Sequence, residues 1–267
     1  MASKGASDTK GVEQVSLTFL VENAYNTFSN TLKSTSAKVL MLGGFDTKEN
    51  AVRAYLLAIG KKHLTDQRKK IVDPADQSFL DSVGRYAMDT KDYVQWVREE
   101  GGVPVWQEAV VTYCSAFENC LKAIAIAFLL AERNKTAGLS AQIYVPGPDL
   151  RFARKEIRKA WESSFSDEIP KVQNFFHNYV CAKNPEASRY ELPPQVTAEE
   201  WENCAAAFQI RNAIVHDLGR LSQSLSIGAE SFHANWLADI SATTVTVIKR
   251  TFLKIMYPFE PDEFGFL

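Results

Sequence analysis

The sequence predicts an all-α protein. Apolar residues recur at helical spacing in one segment after another, and capping signatures open several of those segments. Almost no stretch alternates with the two-residue period of a half-buried strand. At 267 residues, 46% hydrophobic and 11% aromatic, the chain has the material for a substantial core, as one large domain or two small ones.

Met1 to Gly11 is small, polar and charged, and reads as a tail. Leu17, Leu20, Val21, Ala24, Phe28 and Leu32 then share one helical face. Asp46-Thr-Lys-Glu49 is a capping box that opens a helix through Leu57. Asp73-Pro74 sets a capping side chain before a first-turn proline, and starts a helix toward Arg98. Gly101-Gly102, with Pro104 close behind, is the clearest break. It divides an N-terminal helical region, residues 12–102, from a second region, residues 103–267.

Val105 to Ala131 reads as one long helix whose polar positions form a narrow stripe: Glu108, Thr112, Ser115, Asn119 and Lys122. A helix apolar around most of its circumference belongs at the centre of a bundle. Its most apolar run, Ala123 to Ala131, is too short to cross a bilayer, which favours a buried helix over a membrane span. Tyr144 to Asp149, rich in Pro and Gly, reads as a loop. Arg151 to Trp161 follows as a basic helix, with Arg151, Arg154, Lys155 and Arg158 on one face. Such a face is either simply solvated or a phosphate-binding surface, and these four are the candidate RNA-binding residues. Pro193-Pro194 closes another loop, and Thr197-Ala-Glu-Glu200 is a second capping box. Gly219 fits a C-terminal cap, and Glu230-Ser231 is expected to start the last helix, through Met256. The aromatic, acidic tail from Pro258 is expected to dock back on the fold, or else to present a partner-binding peptide.

A formal charge of −2 and a pI near 6.1 exclude a global basic field, so contact with nucleic acid has to come from a local patch. Cys114, Cys120, Cys181 and Cys204 show neither CxxC spacing nor clustered histidines. A disulfide framework or zinc site is not expected, and a reducing, cytoplasmic setting is. No basic-then-apolar signal segment opens the chain. The absence of a Gly-rich phosphate loop, HExxH or GxSxG leaves NTPase, zinc-protease and serine-hydrolase readings without support.

The segment Arg211-Asn-Ala-Ile-Val-His216 is where chemically useful side chains stand at short fixed separations. On a helix Asn212 and His216 share a face one turn apart, and Arg211 lies about 140° around from His216. The filler is apolar and anchors the other side. On residues alone, a core helix with a satisfied histidine competes evenly with a site. Around it, Glu118 is a weaker candidate partner for Arg211, and Arg220 would join the face only if the helix ran through Gly219. His63, His177 and His233 read as surface or structural.

The hexad resembles the R-x4-6-H motif of the HEPN superfamily, with Asn212 as the polar residue that follows the arginine. Together with its helical surroundings the likeness spans Val103 to Pro258, and the first hundred residues lie outside it. It implies a HEPN-like helical bundle, to which the helical patterns of residues 12–102 add an N-terminal helical region. It further implies a metal-independent endoribonuclease without cofactor, Arg211, Asn212 and His216 as catalytic residues, and a homodimer that pairs two motifs in one composite site. Known members suggest a toxin or antiviral defence effector acting on RNA, restrained by a regulatory protein or antitoxin.

The chemistry agrees with those residue types. Histidine is suited to moving protons at neutral pH, and a guanidinium forks onto phosphate oxygens and stays charged. RNA carries its own nucleophile, the 2′-hydroxyl. One motif offers a single proton-transfer group where cleavage needs two, and a two-fold dimer would supply the second. Two other readings stand beside this one. The first is a catalytically inactive HEPN-like module that binds nucleotide or protein partners, with Asp217 beside His216 as its warning sign. The second is a helical scaffold with an accidental motif.

Overall fold

Phe117 lies near the middle of a long helix, fully buried, with aromatic rings from three other helices packed around it. The computed structural model describes residues 14–43, 103–134, 142–144, 147–163, 171–183, 195–217, 219–235 and 238–261. The helices expected from Asp46 and Asp73, the Gly101-Gly102 break, the Pro193-Pro194 loop and the N-terminal tail fall outside them. Among the described residues the chain is mostly helical, with six α-helices and two short antiparallel ribbons.

Strand β1 (Gln14–Ser16) leads into α1 (Leu17–Gly43), which packs along α2 (Val103–Arg133). Strand β2 (Gln142–Tyr144) pairs antiparallel with β1, Val15 opposite Ile143, and precedes α3 (Gly147–Ser163). A short helix, α4 (Lys171–Phe175), continues into a π-helical turn at Phe176–Cys181. The motif helix α5 (Ala198–His216) is followed by a hairpin of β3 (Leu225–Ile227) and β4 (Glu230–Phe232). Helix α6 (Ala242–Met256) ends in a 3₁₀ turn, Tyr257–Phe259.

α2 is the expected central helix. Its buried positions run its whole length, from Val105 to Ala131, and α1, α3, α5 and α6 all pack on it. It is long and apolar enough by composition to cross a membrane, and 56% of its most apolar stretch is buried inside the fold. Helix α1, on the N-terminal side of the Gly101-Gly102 break, contributes Leu17, Val21, Phe28 and Leu32 to the same core. Of the polar stripe on α2, Thr112, Ser115 and Asn119 line a groove against α1. Lys122 pairs with Glu118 and lies 4.9 Å from the centre of the Trp161 ring. The tail docks as far as it is described: Phe259 is buried against Phe128 and Phe176.

The all-α reading stands beside four short strands among the described residues, each of three residues, too few for alternation to show in the sequence. Two expectations are corrected. The segment Tyr144 to Asp149 is not all loop, because α3 already begins at Gly147 with Pro148 in its first turn. There a proline gives up no helical hydrogen bond.

The last helix starts at Ala242 rather than at Glu230. Gly228 (φ +58°) and Ala229 form a two-residue turn with positive φ at its first position only, the geometry that glycine supplies for a type II′ hairpin. Glu230 instead uses its carboxylate at the start of α6, accepting from the Ser241 and Thr244 hydroxyls. Ser241 Oγ in turn accepts from the Thr243 and Thr244 amides at 3.0 and 3.2 Å. An anion at a helix N-terminus complements the macrodipole, which explains why this glutamate reads so readily as the first residue of a helix.

Phe117 makes a test of the packing. Its ring stacks on Phe252 with centroids 4.3 Å apart and planes 8° from parallel. Phe117→Ala is expected to lower the unfolding free energy by about 3–5 kcal/mol in denaturant titration. A loss under about 1 kcal/mol would show that the helices do not converge on this ring.

Candidate functional site

Helix α5 carries the motif because its start and its stop are both encoded. At the start, Thr197 Oγ1 accepts from the Glu200 amide at 3.2 Å, and Glu200 Oε2 accepts from the Thr197 amide at 2.8 Å, completing the expected capping box. The Lys254 ammonium, 2.7 Å from Glu200, ties that turn to α6 and helps hold the Glu200 carboxyl below its usual range. At the stop, the Ala213 carbonyl accepts from both the Asp217 and Gly219 amides, at 2.9 and 2.8 Å. Gly219 lies at φ +82°, where a side chain would strain the backbone, so the predicted glycine cap is present.

That stop places His216 in the last helical turn, exposed to solvent. Its imidazole makes no hydrogen bond or ion pair with a described residue. Arg220 falls beyond the helix and donates from Nη1 to the Asn235 carbonyl at 3.2 Å, which pins the following loop instead of joining the motif face.

Arg211 and Asn212 are brought together. Arg211 Nη1 donates to Asn212 Oδ1 at 2.9 Å, and both residues are half-buried. Of the two ends of an amide only the oxygen accepts, so this bond fixes the amide and leaves Asn212 Nδ2 as its open donor. Arg211 Nε is buried without a partner. An unpaired buried donor costs about 1–3 kcal/mol, and a purely structural arginine would be expected to avoid that cost.

Cys114 of α2 is fully buried and lies within electrostatic reach of Arg211. Burial pushes its thiol far up, while the Arg211 guanidinium pulls the other way and Glu118 pushes it further up. Glu118 itself pairs with Lys122, one turn along α2, and makes no ion pair with Arg211. Sequence spacing has no way to show that Arg211 acts electrostatically on Cys114, because the two residues belong to different helices.

The basic helix is present as expected, with Arg151, Arg154, Lys155 and Arg158 all exposed on α3. Arg158 pairs with Glu162 at 2.9 Å, whereas Arg154 and Lys155 make no ion pair with a described residue. α3 reaches the motif helix through Trp161, 5.9 Å from Phe208, at the opposite end from Arg151. His177 is exposed and rests against the Phe176 and Trp201 rings, while His233 is exposed beyond the hairpin. His63 lies outside the described residues. Among the described residues, no group of three or more His, Cys, Asp or Glu side chains is placed to hold a metal ion.

Two concavities bear on function. A groove of about 830 Å³ lies between α1 and α2, lined by uncharged residues such as Asn23, Thr27, Ser115 and Asn119, with Arg154 contributing from α3. No motif residue reaches it. A small polar concavity of about 120 Å³ borders the motif itself, with Asn212 and Asp217 among its walls. The volumes favour the first, but the chemistry of the side chains favours the second. Asp217 was legible only as the residue after His216, and nothing in the sequence marked Gln223 as its neighbour across the cavity.

No protein-family model matches the chain, and neither a curated protein nor a solved structure does.

The four thiols provide a check on this geometry. Cys114, Cys120 and Cys204 are buried, and burial pushes all three thiols far up. Cys181 is only half-buried, and its thiol is pushed up to about 11. Near pH 8 a disulfide reagent is expected to modify Cys181 slowly in the native protein and all four thiols after unfolding. Rapid modification of Cys114 would show that it is not sealed in the core.

Proposed function

We propose that the chain is a metal-independent RNA endonuclease built on a HEPN-like helical bundle, acting as a homodimer with Arg211, Asn212 and His216 in a composite site. One observation carries the reading. On a single helix whose ends are both capped, Arg211 is bonded to Asn212 with a donor left over, and an exposed His216 stands one turn beyond Asn212 without a partner among the described residues.

In this reading the 2′-hydroxyl of RNA attacks the adjacent phosphorus. One His216 accepts the hydroxyl proton as the new P–O2′ bond forms. The P–O5′ bond breaks, and the departing 5′ oxygen takes a proton from the partner's His216. The products are a 2′,3′-cyclic phosphate and a 5′-hydroxyl, with no redox change and no water consumed. Arg211 counters the charge that builds on the non-bridging oxygens. The basic residues Arg151, Arg154, Lys155 and Arg158 supply a local surface for the RNA backbone on a chain whose net charge is negative.

A second reading, a catalytically inactive module that binds nucleotide or protein, draws on a different observation. Arg211 is half-buried, and Asp217 brings a second charge next to His216. Both could serve recognition without turnover.

Activity separates the two. His216→Ala and Arg211→Ala are each expected to lower cleavage of RNA by at least about a hundredfold while the helix content is retained. Chelators are expected to leave the wild type unchanged, and hydrogen in place of the 2′-hydroxyl at the cut position is expected to stop it. A folded His216→Ala protein that cuts at the wild-type rate would remove the ribonuclease assignment. RNA binding without cleavage would favour the second reading. Light scattering at micromolar concentration is expected to give about twice the chain mass, and a strict monomer would remove the composite site.

A further inference from the structure

The small concavity beside the motif is the size of one planar heterocycle. Its volume, about 120 Å³, falls well short of the roughly 300–1,000 Å³ of a drug-sized ligand site. Leu221, buried, and Leu225, half-buried, give it apolar surface. On another side Gln223 Nε2 donates to Gln209 Oε1 at 2.8 Å, so two amides from separate parts of the chain are tied into one wall.

The remaining polar capacity is specific. Asn212 accepts from Arg211 on its oxygen, which turns that end toward the guanidinium and leaves the Nδ2 amide as a donor. The Asp217 carboxylate also lines the cavity, with no ion pair or hydrogen bond to a described residue, and when ionised it only accepts. A ligand edge that engages Nδ2 together with both carboxylate oxygens needs one acceptor beside two adjacent donors.

Among the RNA bases only guanine offers that order on its Watson–Crick edge: O6, then N1–H, then N2–H₂. Adenine would set its N1 lone pair, and uracil a carbonyl oxygen, against the carboxylate. Cytosine has a single donor group on that edge. We propose that the concavity between Asn212 and Asp217 reads a guanine next to the scissile phosphate, with Asp217 as the specificity-determining residue. Single-stranded RNA recognition works through such splayed-out bases, and the cavity opens on the helix that carries His216. The proposal rests on the RNA reading above and adds a base preference to it.

Direct binding tests the pocket apart from catalysis. Guanosine 3′-monophosphate is expected to bind the wild type at least about tenfold more tightly than the adenosine, cytidine and uridine monophosphates, the scale of one good bidentate contact. Inosine 3′-monophosphate, which lacks the N2 amino group, should fall between them. Asp217→Asn should erase the preference. The variant should fold, because α5 is closed by the Asp217 backbone amide and its side chain has no described partner. Equal binding of all the nucleotides, or a preference for guanosine that survives Asp217→Asn, would overturn the proposal.

Cleavage-site mapping distinguishes its failure from that of the ribonuclease reading. Cuts spread evenly over all four bases would remove the guanine slot and leave the nuclease intact. An inert protein that still selects guanosine through Asp217 would keep the slot and remove the nuclease.

Discussion

The contact between Phe117 and its aromatic neighbours sets the geometry on which the candidate site depends. Phe117 of α2 stacks on Phe252 of α6, and lies 6.1 Å from Phe28 of α1 and 6.4 Å from Phe208 of α5. Phe208 sits one turn before Asn212, so its anchoring fixes the rotation of α5 about its own axis. With Cys204, Ala207 and Ile210 facing inward, Asn212 is left at the boundary and His216 in solvent. Trp161 extends the cluster to α3, which hangs the basic helix on the same core. Aromatic rings bury large areas and have directional preferences, so this core limits how far α5 can rotate.

The site itself accepts a local energetic cost. Arg211 is held by Asn212, yet one of its donors stays unpaired. The helix supporting it is secured at both ends, by the Thr197–Glu200 box tied to Lys254 and by the left-handed Gly219. The hairpin braces it from the side, where the Gly228 amide donates to the buried Asn203 side chain at 2.9 Å. A rigid helix bearing unsatisfied or unpartnered polar groups at one end is suited to holding those groups for a ligand.

Much of this was legible in the sequence because it is local. The α2 span, the start and end of α5, the basic α3 and the docking of Phe259 follow from periodicity, capping chemistry and composition. Other features were hidden because they depend on residues far apart in the chain. Glu230 looks like the start of a helix because it does cap one, but through space, across to Ser241 and Thr244. The three-residue strands carry no period of their own. The electrostatic influence of Arg211 on Cys114 and the Gln223 wall beside Asn212 arise only when helices and loops pack.

The central claim is that one motif is half a site. Wild-type and His216→Ala chains refolded together in varying ratio, at constant total concentration, test it most directly through the rate of RNA cleavage. If both histidines of a dimer are needed, activity should fall as the square of the wild-type fraction. A fall in direct proportion to that fraction would mean that each chain works alone, and would contradict the account.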